Sequence, residues 1–236
     1  TGAVSAERLE EHLTALEEAG YVPVSLFDIK EYTKRGTPLP EKPILITIDD
    51  GYSSALEIAA PILEKHSASA AVAVIGCSIG HTTYKDTDRP ITPHFELKDA
   101  LPYVQNGTLT ITSHTWNMHE VEGLDEQPIR IGILQKEGES EKDYLEYLTS
   151  DFLKSKEAIE KAYSTPLDTL AYPHGKYSEL SEVFLSQSGI EITFTTDYKS
   201  NEIVKGIPQT LRLLDRITVD ESVTGERLIQ LIEKAG

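Results

Sequence analysis

The fold-determining stretch of this chain is ILITIDDGY, which occupies residues 44–52. Its first five residues are apolar or β-branched, as is typical of a strand that is covered on both faces. The strand ends abruptly at Asp49. A helix is expected at about residues 53–66 and a second apolar strand at residues 70–75. Strand and helix therefore alternate, which indicates parallel strands joined by crossover helices.

The alternation continues along the rest of the chain. Further strands are expected at residues 108–112, 169–172 and 191–195, with helices between them, and an extended stretch is expected at residues 211–219. The acidic segment at residues 120–143 breaks the rhythm and is expected to loop out, with a hairpin around residues 129–134. This order favours an α/β barrel or an open doubly wound sheet, and in both architectures ligands bind at the carboxyl ends of the strands.

The charge balance disfavours several classes of function. The 236 residues include 22 Lys and Arg against 39 Asp and Glu, a formal net charge of −17. A surface this acidic disfavours binding to nucleic acid or to an anionic membrane, because both require basic residues near phosphate groups. No apolar stretch approaches the ~20 residues that span a bilayer, so no membrane span is expected. The single cysteine, Cys77, has no partner for an internal disulfide.

The first candidate site is the acidic pair Asp49 and Asp50 at the end of the first apolar strand. Unpaired buried carboxylates cost several kcal/mol, and a bound metal ion would offset that cost. Successive strand residues point to opposite faces, but a turn at Gly51 would bring both carboxylates into one cleft. The alternative is an acidic turn that caps the helix beginning near Ser53.

The second candidate site is SHTWNMH, residues 113–119. His114 and His119 are five residues apart, about 140° on an ideal helix, so they cannot share one helical face. One histidine at the strand end and the other beyond a turn would still converge. Two neutral imidazoles with one carboxylate are a common ligand set for a divalent metal ion. The alternative is that the two histidines share a loop without a common role.

The third candidate site is AYPHG, residues 171–175, again at a strand end. A proline and a glycine here would fix the backbone so that an N–H points into the cleft as an oxyanion donor. The alternative is an ordinary Pro-Gly turn.

Together, and in this order, the three clusters resemble the motifs of the polysaccharide deacetylase family, carbohydrate esterase family four. The resemblance spans residues 44–219 and implies a distorted (β/α) barrel of about seven parallel strands. It implies Asp49 as the general base. It implies Asp50, His114 and His119 as ligands of one divalent metal ion, with zinc first and cobalt, nickel or iron as alternatives. The five-residue separation of the histidines resembles the branch that includes the poly-β-1,6-N-acetylglucosamine deacetylases.

The resemblance also implies roles around the third motif. The backbone amide of His174 would help to hold an oxyanion, and the His174 side chain is one candidate for the general acid. The other candidate is a histidine on a first strand upstream of this sequence. Trp116, Tyr172 and Pro173 lie in or beside the motifs and are expected to bind the sugar substrate.

One residue departs from the family pattern in a way that bears on catalysis. The third motif of the family usually begins with an arginine that orients the catalytic aspartate, and Ala171 occupies that position here. Arg216 is expected either to supply the missing charge from a neighbouring strand end or to form a structural ion pair.

The resemblance implies a single catalytic domain over residues 1–236, with a first strand upstream of this sequence. The implied activity is metal-dependent hydrolytic de-N-acetylation of N-acetylhexosamine units in a bacterial exopolysaccharide or cell-wall glycan. The expected partner is an N-acetylated polysaccharide or oligosaccharide, and the expected location is extracellular, at the cell surface or in the periplasm. The alternatives are a carbohydrate-binding pseudoenzyme with impaired catalysis and an O-deacetylase of another glycan.

Overall fold

A computed structural model of the chain describes residues 3–236. Thr1 and Gly2, which begin the expected domain, lie outside the described residues. The strands are β1 (Val22–Pro23), β2 (Pro43–Ile44), β3 (Ile46–Ile48), β4 (Ala70–Val74), β5 (Leu109–Ser113), β6 (Thr169–Ala171) and β7 (Ile192–Phe194). The α-helices are α1 (Ala6–Glu18), α2 (Leu26–Arg35), α3 (Ala60–Lys65), α4 (Leu101–Gln105), α5 (Glu141–Tyr163), α6 (Glu179–Gln187) and α7 (Gly225–Ala235). None of the helices in residues 3–236 combines the length and apolar character that crossing a bilayer requires.

The order of the strands distinguishes between the two expected architectures. Strands β3 to β7 form one five-stranded sheet in sequence order, and every neighbouring pair is parallel. A doubly wound sheet reverses its strand order, whereas this sheet advances in one direction and curls into a half-barrel flanked by helices. The predicted distorted (β/α) barrel is therefore confirmed. Strands β1 and β2 form a separate two-stranded parallel sheet.

Strand β4 shows how the core is divided. All five of its residues are buried, and alternate side chains point to opposite faces of the sheet. The even-numbered side chains join a large hydrophobic cluster that includes residues of α3 and α5. Ala71 and Ala73 join a smaller cluster that includes Phe194 and Leu214. Both faces of this strand are covered, as its continuous apolar sequence predicts.

The segment after β7 joins the last strand of the sheet to the first. Leu214 forms a parallel bridge with Phe194, and the Thr195 N–H donates to Leu214 O at 2.8 Å. Two residues further on, Arg216 Nη1 donates to Thr47 Oγ1 in β3 at 3.1 Å. One arginine side chain thus connects the carboxyl ends of β3 and β7.

Two expectations about individual elements are wrong. The single strand expected at residues 44–48 is divided between β2 and β3, and it is half-buried rather than covered on both faces. The reason is that β3 is an edge strand, whose partner in the five-stranded sheet is β4. The hairpin expected at residues 129–134 is not found in the described part of the chain. Side chains hold that segment instead, with Arg130 and Ile133 buried.

Candidate active site

The chain turns sharply where β3 ends, and this turn orients the first pair of carboxylates. Asp50 and Gly51 have φ values of 73° and 84°, in the left-handed region. Aspartate tolerates this conformation better than most residues, and glycine adopts it freely. A Cβ atom on Gly51 would lie 2.9 Å from Val74 Cγ1, so the turn packs directly against β4. Both carboxylates consequently lie near His114. Asp50 Oδ1 is 3.6 Å from His114 Nε2, and the charge of His114 helps to lower the pKa of Asp49.

The second cluster converges because the chain reverses after β5. The His114 N–H donates to Val74 O at 2.9 Å, which continues the pairing with β4. Thr115 has a φ of 69°, and its Oγ1 accepts a hydrogen bond from the Met118 N–H at 3.2 Å. The rings of His114 and His119 then lie 5.3 Å apart between centroids. The two histidines meet across a turn, as their spacing of five predicts.

Asp50, His114 and His119 form the candidate metal site. Asp50 Oδ1 lies 3.6 Å from His114 Nε2 and 3.9 Å from His119 Nε2, and the three ligand atoms lie within 4.8 Å of one another. Two donors that each lie about 2.0–2.2 Å from one zinc ion are at most about 4.4 Å apart. Both separations between Asp50 and the imidazoles lie within this limit. The His114 Nδ1–H donates to Ala171 O at 2.8 Å, which leaves Nε2 as the nitrogen that faces the candidate metal site. Burial and the charge of His114 lower the pKa of His119, which favours the neutral imidazole that a metal requires.

Arg216 holds the carboxylate of Asp49. Its Nη1 and Nη2 atoms donate to Asp49 Oδ1 and Oδ2 at 2.7 and 2.8 Å, a two-point contact. Its Nε donates to Thr195 O at 3.0 Å, which fixes the guanidinium plane. Burial by itself would raise the pKa of Asp49, but the charges of His114 and Arg216 outweigh it, so the pKa is lowered. Asp49 is therefore ionised near neutral pH. Arg216 makes the contact to this carboxylate that was expected from an arginine at the position of Ala171.

The structure corrects the expected roles of Tyr172 and Pro173. Tyr172 is fully buried, its ring stacks on Tyr177 at 5.2 Å between centroids, and its hydroxyl donates to Glu182. Pro173 is buried as well. Neither side chain has a face open to a sugar, so both are packing residues beneath the third motif.

His174 is placed at the rim of the candidate metal site. It has a φ of 56°, and the next residue, Gly175, has a φ of 65°. A Cβ atom on Gly175 would lie 2.3 Å from Thr196 Oγ1, so only glycine allows this close approach. The His174 side chain is exposed, and its ring lies 4.5 Å from the ring of His119. Burial and the charge of His119 lower the pKa of His174.

Trp116 is half-buried and lies in residues 114–119, which are named the metal-holding loop because they carry two ligands of the candidate metal site. A Cβ atom on Gly76 would lie 2.3 Å from Trp116 Cε3, so this part of the indole packs directly on the backbone of residue 76. Trp116 also lines a cavity whose walls include residues of α5. The structure thus assigns part of Trp116 to packing, and its expected contact with a sugar remains a prediction.

Sequence analysis missed Asp151, a buried carboxylate in α5. Its Oδ1 accepts from the Trp116 N–H at 2.8 Å and its Oδ2 accepts from the Asn117 N–H at 2.6 Å. Burial raises the pKa of Asp151 to about 6, although these two hydrogen bonds act in the opposite direction. The available signal was an aspartate next to Phe152 and in register with Leu148, on the face of α5 that packs against the core. A charged residue there needs a partner, and the metal-holding loop supplies it.

The segment that follows His119 is held by buried ion pairs. Arg130 is 3% exposed, and its two Nη atoms donate to Glu139 at 2.9 and 2.7 Å. Glu120 accepts from the Arg130 N–H at 2.7 Å and pairs with Lys136 Nζ at 2.8 Å. This network takes the place of the expected hairpin.

Comparisons with known sequences match the region that carries the candidate metal site. A family model described as polysaccharide deacetylase matches residues 36–193. The poly-beta-1,6-N-acetyl-D-glucosamine N-deacetylase of Escherichia coli (strain K12) is 26% identical over 216 residues, which cover 83% of this chain and 31% of that protein. This chain thus spans less than a third of the length of that relative.

Solved structures share the fold. A de-N-acetylase from Aggregatibacter actinomycetemcomitans has a TM-score of 0.81 at 22% identity, with 98% of this chain and 95% of that chain covered. IcaB from Ammonifex degensii has a TM-score of 0.77 at 18% identity, with coverages of 97% and 89%. The family match spans more than half of the chain and includes every residue of the candidate metal site. On this evidence the chain belongs to the polysaccharide deacetylase family.

Proposed function

We propose that this chain removes acetyl groups by hydrolysis from N-acetylhexosamine units of a bacterial exopolysaccharide or cell-wall glycan, using one divalent metal ion. The observation that carries the proposal is the convergence of Asp50, His114 and His119 beside the Asp49 carboxylate. One set of side chains has the chemistry of a metal site. The ionised Asp49 carboxylate lies beside these side chains and is held by Arg216, so it is positioned to accept a proton.

Asp50, His114 and His119 would hold the metal ion. Such an ion, when bound, supplies a polarised water molecule whose pKa is lowered towards neutrality. Zinc is our first choice because two imidazoles and one carboxylate form an established class of catalytic zinc site. Cobalt, nickel and iron accept the same ligands and are the alternatives.

We assign Asp49 the role of general base. Its two carboxylate oxygens are both held by Arg216, and Arg216 is itself held by Thr195 O, so the carboxylate has a defined orientation. Asp49 would accept the proton that the attacking water loses. Arg216 would keep Asp49 in the ionised form that this step requires.

We assign two functions to His174. The neighbouring Gly175 N–H already donates to Tyr172 O at 2.8 Å, so the His174 N–H is the candidate donor to the oxyanion. In its protonated form, whose population the lowered pKa reduces near neutral pH, the exposed imidazole beside His119 would protonate the departing amine. An acid is needed because the amine of a neutral amide is a poor leaving group. A histidine upstream of this sequence is the alternative acid.

The glycan and the location rest on the relatives. The Escherichia coli relative is named for poly-β-1,6-N-acetyl-D-glucosamine, and we propose a polymer of the same linkage as the first substrate to test. Such a substrate lies outside the cytoplasm, so we propose that the chain acts at the cell surface, in the periplasm or in the medium.

The test is acetate release by metal-reconstituted protein from β-1,6-linked and β-1,4-linked N-acetylglucosamine oligomers, with an O-acetylated glycan in parallel. Release from an N-acetylated oligomer that a chelator abolishes is the expected result. Release from the O-acetylated glycan alone would identify an O-deacetylase instead. Binding of metal and oligomer without any acetate would contradict catalysis and identify a carbohydrate-binding pseudoenzyme.

A further inference from the structure

The segment that carries Arg216 runs beside β7, the last strand of the five-stranded sheet. The Leu214 N–H donates to Thr193 O at 2.8 Å, and Leu214 O accepts from the Thr195 N–H at 2.8 Å. Both backbone groups of Leu214 are therefore bonded to β7. Successive residues of a strand turn their backbone groups to opposite sides, so those of Asp215 face away from β7.

The side chain of Asn201 binds both backbone groups of Asp215. Asn201 Nδ2 donates to Asp215 O at 2.8 Å, and the Asp215 N–H donates to Asn201 Oδ1 at 2.7 Å. Two opposed residues of an antiparallel sheet exchange the same pair of hydrogen bonds. A carboxamide can do this because it places a donor and an acceptor side by side. One side chain thus gives Asp215 the contacts that a further strand would give it.

The loop that carries Asn201 is itself tied to two helices. The Ser200 N–H donates to Ala235 O at the end of α7 at 3.2 Å. Further along the loop, the Gly206 N–H donates to Thr33 O in α2 at 2.8 Å. Asn201 is therefore held by the helical layer, and it transmits that constraint to Asp215.

The constraint reaches Asp49 through one residue. Arg216 follows Asp215 directly, and both of its Nη atoms contact the Asp49 carboxylate, at 2.7 and 2.8 Å. On the side of β7, Thr195 Oγ1 donates to Asp215 Oδ1 at 2.5 Å. A two-point contact between planar groups depends on angle as well as distance, so a shift of the Asp215 backbone would misalign it.

We propose that Asn201 is a positioning residue for the proton transfer assigned to Asp49, because it fixes the backbone of Asp215 and so aims Arg216 at the Asp49 carboxylate. The proposal rests on the proposed function, which gives Asp49 its role as base. Asn201 is exposed, so its substitution removes no core packing and should affect orientation more than folding.

Asn201→Asp is the most conservative test because it keeps the shape of the side chain and loses only the donor to Asp215 O. We expect kcat for acetate release to fall about three- to tenfold, with KM and bound metal unchanged. Asn201→Ala, which removes donor and acceptor together, should have the same effect. Gln209→Ala, at an exposed amide outside these contacts, is the control and should match the unsubstituted protein. A full kcat in both Asn201 variants would overturn the proposal.

A second substitution tests whether Asn201 acts through Arg216. Arg216→Lys leaves no two-point contact to align, so adding Asn201→Ala to it should not lower kcat further. Two effects that multiply would show that Asn201 acts independently of Arg216, and the proposal would be wrong.

Proton exchange at the Arg216 guanidinium gives a readout that needs no activity. Arg216 Nε–H donates to Thr195 O at 3.0 Å, so its NMR signal, identified by its loss in Arg216→Lys, should exchange slowly with water. Exchange should be severalfold faster in Asn201→Ala and unchanged in Gln209→Ala. An equal rate in Asn201→Ala would contradict the proposal. If the unsubstituted protein releases no acetate, the proposed function fails, whereas faster exchange in Asn201→Ala would still show that Asn201 positions Arg216.

Discussion

Asp49 and Asp50 are adjacent in the chain but have different partners, so substitutions should separate their roles. Asp50 lies within 4 Å of the imidazoles of His114 and His119, whereas Asp49 is held by Arg216. Asp50→Ala should therefore lose bound metal and activity together. Asp49→Asn should retain metal while kcat falls by about 10²–10⁴, the usual contribution of a general base. Metal analysis and acetate release measure both effects, and an active Asp49→Asn protein would refute the base assignment.

Arg216 presents a planar fork to Asp49 that a lysine cannot reproduce. Arg216→Lys keeps the positive charge but loses the two-point contact, so the carboxylate should no longer be held in one orientation. We expect kcat to fall at least about tenfold with bound metal unchanged. Arg227→Lys, at an exposed position on α7, is the matched control and should behave like the unsubstituted protein. A full kcat for Arg216→Lys would show that the orientation of Asp49 does not limit the rate.

The sequence predicts which polar side chains lie at the ends of strands, but it does not predict which residues those side chains contact. The metal-site residues follow apolar runs, so their position at the mouth of a parallel sheet could be inferred from the sequence. Tyr172 and Pro173 follow an apolar run as well, and nothing local distinguishes a buried aromatic side chain from an exposed one. Asp151 was missed because its partner Trp116 is 35 residues away, on another element. The local sequence therefore predicts which residues lie at the site. It does not predict which residues of other elements hold the site in place.

Helix α5 contacts the metal-holding loop through the Asp151 carboxylate and through the Tyr147 hydroxyl, which donates to Asn117 O at 3.4 Å. Asp151→Ala would remove the acceptor shared by the Trp116 and Asn117 N–H groups and leave both without their partner. Losing an outer partner of a metal site commonly lowers metal affinity about 10–100-fold, so we expect the Kd for zinc to rise by at least about tenfold. Glu157→Ala, at an exposed position of the same helix, is the control. Calorimetric titration with zinc measures both, and equal affinities would show that the loop holds its shape without the Asp151 carboxylate.

Hydrophobic periodicity predicted elements well where packing alone determines them. Strand β4 is buried along its whole length, and its apolar run was sufficient to identify it. The stretch at residues 44–48 has a similar composition, yet it is divided in two and half-exposed, because position in the sheet is a tertiary property. The hairpin expected at residues 129–134, within the acidic segment, was wrong for a related reason. Its shape depends on the pairing of Arg130 with Glu139, and periodicity carries no information about such a pair.

The alternation of strands and helices predicts the half-barrel. It does not predict the contacts that link the last strand, β7, to the first strand of the sheet, β3. Strand order within the sheet follows chain order, as short right-handed crossovers favour. The connection between β7 and β3 instead depends on Arg216, which contacts Thr195 O, Thr47 and Asp49. That side chain is half-buried at the mouth of the barrel, so the same contacts that complete the sheet also organise the candidate site.

The stability of the whole fold should carry a contribution from Asp151 that depends on pH. Burial raises its pKa to about 6, while the N–H groups of Trp116 and Asn117 and the charges of Lys154 and Arg130 act in the opposite direction. A carboxyl group whose pKa is higher in the folded chain than in the unfolded chain binds its proton more tightly when folded. The free energy of unfolding therefore loses this contribution as pH rises from about 4 to about 6.

Asp151→Asn removes this titration and isolates its effect. The free energy of unfolding of the unsubstituted protein, relative to that of Asp151→Asn, should fall by up to about 3 kcal/mol between pH 4 and pH 6 and stay level above about pH 7. Urea denaturation at each pH measures both proteins, with a chelator present so that metal binding does not contribute. Parallel stability curves across this window would show that Asp151 has an ordinary pKa. In that case its hydrogen bonds to the metal-holding loop would outweigh the cost of its burial.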